Sequence, residues 1–263
     1  DHVTTTLKNA IQNKKVAQSL LFCGPRGVGK TTCARIVAKM VNNLEWDDPL
    51  KNNNDLNIFE LDAASNNSVD DIRNLIEQVR YAPQSGKFKV YIIDEVHMLS
   101  KSAFNAMLKT LEEPPPQTTI ILLTTSPMLL LETILSRCQQ IRFQPLSQMI
   151  LKDLLAEKTE LANDDRNWLA KQGMGSVRLD LVKDVHGLRE LQSQWGLWIQ
   201  QIGASEMIEI LPRCQEWSSA KDLTWERLLD WLETWLRDLA WLLHELPEIE
   251  LLNQDQLPTL RKC

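Results

Sequence analysis

Short apolar runs alternate with longer segments whose apolar residues recur at helical spacing, up to about residue 145. The runs at 19–23, 57–61, 88–93, 118–124 and 139–143 read as strands. The segments 4–13, 30–42, 67–80, 101–112 and 128–136 read as helices. Such alternation predicts an α/β fold, a parallel sheet covered by helices on both faces. Pro114-Pro115-Pro116 is a hard helix stop, and the polar stretch 42–55 reads as a surface loop. Beyond Pro145 the strand signals vanish, and eight of the nine tryptophans lie past residue 160. Leu223, Trp225, Leu228, Leu229, Trp231, Leu232, Trp235, Leu236, Leu239, Ala240 and Leu243 recur near helical spacing and are apolar around much of the helix. Such a helix is buried in its own bundle or packs against partner chains, and Trp231, Trp235 and Leu239 could serve both ends.

Composition narrows the class. A chain of 263 residues allows two or three small domains. No apolar run approaches the roughly 18 residues of a membrane span, so no membrane partner is expected, and no signal peptide is visible. The start at Asp1-His2-Val3, without methionine, reads as a piece of a longer protein. Cysteines 23, 33, 138, 214 and 263 are scattered, with no C-x-x-C pair, so neither zinc nor a disulfide framework is expected, and a reducing cytoplasm is the implied setting. Residues 1–150 carry 16 basic and 15 acidic side chains, whereas residues 151–263 carry 13 and 20. That distribution holds no broad nucleic-acid-binding field, so DNA contact would come from a local patch or a larger assembly.

Candidate chemistry begins at the first strand's end. Gly24-Pro25-Arg26-Gly27-Val28-Gly29-Lys30-Thr31 fits G-x-x-x-x-G-K-[ST], between an apolar strand and a helical pattern opening with Thr32. Glycines let backbone N–H groups curl around a triphosphate, and the following helix adds its positive end. Lys30 would reach the β/γ-phosphates, and the Thr31 hydroxyl would ligate Mg²⁺. The β-branched strand at 88–93 runs into Asp94 and Glu95. At the carboxyl end of a parallel strand, Asp94 would hold Mg²⁺ and Glu95 would polarise the attacking water. Alternatively both acids merely cap the next helix.

Several runs resemble the gamma/tau subunit family of the bacterial DNA polymerase III clamp loader. They are Glu60 to Arg73, Ile93 to Ser100, Phe104 to Pro115 and Ile134-Leu135-Ser136-Arg137-Cys138, and the likeness covers roughly residues 2–145. The resemblance implies an AAA+ ATPase working in a pentamer with delta, delta-prime and other gamma/tau subunits, which places a sliding clamp on primed DNA. It implies ATP and Mg²⁺ at Gly24 to Thr32, with Asp94 and Glu95 as the metal-holding and water-activating acids. Thr124 and Thr125 match the sensor threonines near the γ-phosphate. Arg137 matches the arginine that reaches a neighbour's ATP, where a guanidinium stabilises charge on the phosphoryl oxygens; from sequence alone it reads rather as a surface arginine capping a helix C-terminus.

Two departures stand out. The family's four-cysteine zinc module is represented only by Cys33, so no zinc is expected. The family's adenine-holding N-terminal segment would lie upstream of Asp1. Further on, Ala170 to Arg178 is similar to the Gly-Ser-x-x lid motif of gamma and delta-prime, which puts Arg178 where a second sensor arginine touches phosphate, or on an exposed helix. Trp235-Leu236-Arg237-Asp238-Leu239 followed by Leu252-Asn253-Gln254-Asp255 resembles the delta-prime collar. The expected division is an AAA+ ATPase domain at 1–146, a helical lid at 147–185 and a helical collar at 186–263. Three readings stay open: an ATP-hydrolysing clamp-loader subunit, a delta-prime-like stator offering Arg137 without hydrolysing, and another AAA+ machine such as a Holliday-junction motor or helicase loader.

Overall fold

The computed structural model describes residues 2–13, 15–43, 57–66, 68–79, 88–177, 179–202, 225–248 and 251–261. Most of the expected loop 42–55 lies outside them. The chain divides into two compact units, Asp1–Leu151 with Gly175–Val177, and Lys152–Met174 with Arg178–Cys263.

The first unit holds a parallel sheet of β1 (Ser19–Cys23), β2 (Ile58–Asp62), β3 (Lys89–Asp94), β4 (Thr118–Thr124) and β5 (Gln139–Arg142). Its order is β2-β3-β4-β1-β5. β1, β3 and β4 are buried on both faces, which is why they read as unbroken apolar runs. Their side chains alternate between two cores. Leu21, Tyr91, Ile93, Ile120 and Leu122 face one, packed by α3 (Val69–Val79) and α4 (Lys101–Glu112) through Ile72, Phe104 and Met107. Leu20, Phe22, Val90, Ile92, Ile121 and Leu123 face the other, covered by α1 (His2–Gln12) and α2 (Lys30–Val41) through Leu7, Ala34 and Val37. At the start of α4 the Ser100 hydroxyl accepts from the Ala103 amide at 3.2 Å. One expected helix is corrected. Residues 128–136 split into a 3₁₀ turn, Pro127–Leu129, and the short α5, Glu132–Leu135. Between them Leu130 and Leu131 are extended (ψ 148° and 139°), a conformation that interrupts a helix.

α6 (Gln148–Lys158) follows the sheet. The second unit contains α7 (Asn163–Gln172), α8 (Val185–Ile202), α9 (Trp225–Leu243) and the short α10 (Leu257–Leu260). No strand occurs after Arg142 among the described residues. Trp195, Trp231, Trp235 and Leu260 form a core, with Trp195 edge-on to Trp235 at 6.1 Å. α9 is buried on one face and exposed on another. Trp231 and Trp235 are buried, whereas Leu229, Leu236 and Leu243, seven residues apart, are 62%, 58% and 82% exposed. The buried Asp238 carboxylate accepts from the amides of Leu252 (3.1 Å) and Asn253 (2.8 Å) and from Asn253 Nδ2 (2.9 Å). The two collar-like runs therefore bind each other, and these bonds satisfy a carboxylate that burial would otherwise penalise. No described helix is long and apolar enough to cross a membrane.

Candidate functional site

The order β3-β4-β1 brings three strand ends side by side, with Cys23 opposite Thr124 and Ile93 opposite Leu122. At this carboxyl edge the Gly24 amide donates to the Thr124 carbonyl at 3.2 Å, which ties the glycine loop to β4. Gly29 begins α2 with φ 90°, and no side chain caps the helix. The first amides of α2 and the helix dipole therefore form an anion-binding end without a competing carboxylate or hydroxyl. The buried Lys30 donates to the carbonyls of Gly24 and Pro25, both at 2.7 Å. Burial pulls its pKa below the ordinary lysine value, against the opposing pull of Glu95 and Asp94.

Thr31 Oγ1 donates to Asp94 Oδ2 at 2.8 Å, and Asp94 Oδ1 accepts from the Glu95 amide at 2.8 Å. A hydroxyl and a carboxylate in contact at the helix start are hard oxygen donors of the type Mg²⁺ takes. Glu95 itself has φ 46°, a strained left-handed conformation for a residue with a side chain. The Met98 amide bonds to its carbonyl at 2.8 Å, closing a 3₁₀ turn over Val96–Met98. The Glu95 carboxylate receives Arg26 Nε on Oε1 at 3.4 Å and the Thr125 hydroxyl on Oε2 at 3.3 Å. His97 Nδ1 lies 3.4 Å from the same Oε2. The Glu95 side chain makes no cap to the turn that follows.

The structure thus gathers Gly24, Pro25, Arg26, Gly27, Val28, Gly29, Lys30, Thr31, Asp94, Glu95 and Thr125 around one edge. Thr32 is exposed on α2. Thr124 ends β4 beside the glycine loop. It is fully buried, with its hydroxyl oxygen accepting from the Ser126 amide at 3.0 Å and lying 3.1 Å from His97 Nδ1. The Val177 amide donates to the Gly27 carbonyl at 3.0 Å, and the Leu146 amide to Gly175 at 2.7 Å, so the Gly-Ser-Val stretch lies on the loop. Arg178 falls outside the described residues. Arg137 does not join the loop. Its Nε donates to Glu112 Oε1 at 2.8 Å and its Nη1 to the Thr133 carbonyl of α5 at 2.6 Å, with a second, shorter contact to Glu112. The helix-end contact expected of a surface arginine is therefore present, with a carboxylate partner added. Among the described residues no three His, Cys, Asp or Glu side chains gather as a metal cluster. Sequence reasoning assigned no part to His97 or Glu112; the signal available for His97 was a titratable ring two residues beyond the acid pair.

The family described as DNA polymerase III, delta subunit matches residues 1–147. The tau subunit of DNA polymerase III from Bacillus subtilis (strain 168) is 44% identical over 194 residues, 68% of this chain and 34% of that protein. The chain thus spans about a third of the length of this relative and similar fractions of other tau subunits. The gamma subunit from Buchnera aphidicola subsp. Baizongia pistaciae is 30% identical over 290 residues, 97% of this chain and 76% of that protein. Among solved structures, a DNA polymerase III gamma subunit-related protein from Thermotoga maritima matches with TM-score 0.50 and 20% identity, over 89% of this chain and 72% of that one. The Thermotoga maritima RuvB Holliday junction branch migration motor matches with TM-score 0.53 and 17% identity, over 91% and 73%. Likenesses at that identity speak for the fold.

Proposed function

The chain belongs to the DNA polymerase III family of gamma/tau- and delta-type clamp-loader subunits, with an α/β fold of the AAA+ kind, and on that premise we propose that it binds and hydrolyses ATP within a clamp loader. The observation that carries the reading is the Thr31–Asp94 contact at 2.8 Å beside Glu95, at the uncapped start of α2. These residues fit a nucleotide with Mg²⁺. The amides of the loop and of α2 hold the β-phosphate, and Lys30 leaves its loop carbonyls to pair with the β/γ-oxygens. Thr31 and Asp94 hold the metal, which when bound neutralises charge on the phosphate oxygens. Glu95 orients the attacking water and accepts its proton, with Thr125 fixing one carboxylate oxygen. Arg137 serves a neighbouring subunit, and the lid resemblance assigns Arg178 a contact with phosphate.

The wider setting is part of the same proposal and comes from the sequence resemblance: delta, delta-prime and gamma/tau partners in a pentamer, a sliding clamp, and primed DNA met through the assembly. The division into ATPase (1–146), lid (147–185) and collar (186–263) belongs to the same proposal. The exposed Leu229, Leu236 and Leu243 stripe supports collar–collar packing, since so regular an apolar row on one helix face is costly to leave in water. The second reading, a delta-prime-like stator, draws on the collar-like Asp238–Asn253 pairing. Glu95→Gln in the assembled complex separates the two. It should keep ATP affinity and lower turnover by about 10²- to 10⁴-fold, since an amide is a far poorer base. Turnover unchanged by the substitution would exclude hydrolysis at this loop.

A further inference from the structure

We infer that His97 is the positioning residue that locks the Glu95 carboxylate to the β4 threonine pair, an inference that rests on the hydrolytic reading above. The contacts converge on one ring nitrogen. His97 Nδ1 lies 3.1 Å from Thr124 Oγ1 and 3.4 Å from Glu95 Oε2. The Thr125 hydroxyl donates to that same Oε2 at 3.3 Å. A bare lone pair on Nδ1 would repel the carboxylate 3.4 Å away, so we place the proton on Nδ1, where it is donated to Thr124 Oγ1 and its positive end faces Glu95 Oε2. Thr124 Oγ1 is free to accept there, although it already accepts from the Ser126 amide, because a hydroxyl oxygen has two lone pairs.

Arg26 contacts Oε1 at the same 3.4 Å, but it is 83% exposed, so water and salt compete for it. The His97 side chain is 12% exposed. Backbone strain adds a reason for such a lock. With φ 46° at Glu95, the acid is held in a conformation that persists only where its surroundings over-determine it. The 3₁₀ turn that follows returns His97 over the acid it restrains. His97 thus acts through Glu95, not on the phosphate, and couples the end of β3 to the end of β4.

The test is ATP turnover of the assembled complex, with affinity for a non-hydrolysable ATP analogue measured by calorimetry. His97→Ala should slow turnover about 10- to 100-fold, the loss expected when a catalytic group is misplaced by about an ångström. Analogue affinity should stay within about two-fold, because the lost interaction matters only in the transition state. His97→Asn places an N–H close to the position of Nδ1 and should recover most of the rate. On a Glu95→Gln background, His97→Ala should cost nothing more, a result that damage to the fold would not produce. Normal turnover in His97→Ala overturns the inference. So does a rate loss matched by lost affinity, or an Asn variant that melts normally yet is as slow as Ala. If Glu95→Gln itself turns over normally, the hydrolytic reading falls with it; a slow Glu95→Gln beside a fast His97→Ala removes only the role of His97.

Discussion

Replacing Gly24 by alanine should damage the fold far more than replacing Gly29, although both glycines belong to one loop. At Gly29 the backbone has φ 90°, and an added Cβ would meet nothing within 4 Å. The cost there is conformational, about 1–2 kcal/mol for a left-handed alanine. It is offset by about 0.4–1 kcal/mol because alanine has fewer unfolded conformations to lose. At Gly24 the Cβ would stand 2.4 Å from the Phe143 carbonyl oxygen and 2.9 Å from Phe143 Cβ. Backbone cannot swing away as a flexible side chain can. Relief requires the segment after β5 to move, and that segment is tied to β1 by the Phe143 amide donating to the Cys23 carbonyl at 2.7 Å. Overpacking of about 1–3 kcal/mol plus a lost hydrogen bond of about 1 kcal/mol gives about 3 kcal/mol. In a domain of this size, about 1 kcal/mol lowers Tm by roughly 2–4 °C. Calorimetric melting without nucleotide should therefore show Gly24→Ala lower by roughly 6–12 °C and Gly29→Ala by only a few degrees. Equal shifts, or a larger one for Gly29→Ala, would refute the close approach of the loop to the end of β5.

Lys30→Ala should abolish measurable ATP binding by calorimetry, since Lys30 is the mobile charge at the loop and the amides alone hold triphosphate weakly. Arg137→Ala should lower turnover at the neighbouring subunit's site by about 10³- to 10⁵-fold while leaving this chain's own ATP affinity intact; mixtures in which each mutant subunit disables only its own site would contradict the trans role. Losing the Glu112 pair should cost this chain no more than about 1 kcal/mol in denaturant titration, because the pair is partly exposed. Burial pushes the thiols of Cys33 and Cys138 up to about 11 and about 12. A raised thiol pKa means less thiolate at any pH below it, so iodoacetamide at pH 8 should leave both unmodified by mass spectrometry in the folded protein, and labelling at the unfolded-chain rate would refute their burial.

The strands were legible within a residue at each end because β1, β3 and β4 are apolar on both faces, a pattern that survives without knowledge of neighbours. β2 and β3 were each placed one residue early, because the Asp62 and Asp94 that close them end the apolar run before the strand ends. The helix at 128–136 failed because leucines at helical spacing say nothing of the extended backbone at Leu130 and Leu131. Residues of the candidate site that lie in consecutive runs, the glycine loop and the Asp94-Glu95 pair, could be read by type alone. Contacts between distant segments could not. Arg137 finds Glu112 across 25 positions, and His97 finds Thr124 across 27. Both follow from crossover geometry, not from periodicity.

The strand order is the decisive missing information. β4 comes fourth in the chain yet lies between β3 and β1. Periodicity along a chain reports which residues share a face of one element, but it carries nothing about which elements become neighbours. Had β3 paired directly with β1, Asp94 would still have met Thr31 across the loop, but Thr124 and Thr125 would have ended away from Glu95. The insertion of β4 places two hydroxyls between the glycine loop and the acid. Thr124 is tied to the Gly24 amide through its carbonyl and to His97 through its side chain, so the end of β4 gives a shift at the loop a second route to Glu95 beside the direct Arg26 contact. On the hydrolytic reading proposed above, a phosphate drawn into the loop would act on Glu95 by way of β4 as well as through Arg26, so the end of this strand would share in positioning that carboxylate.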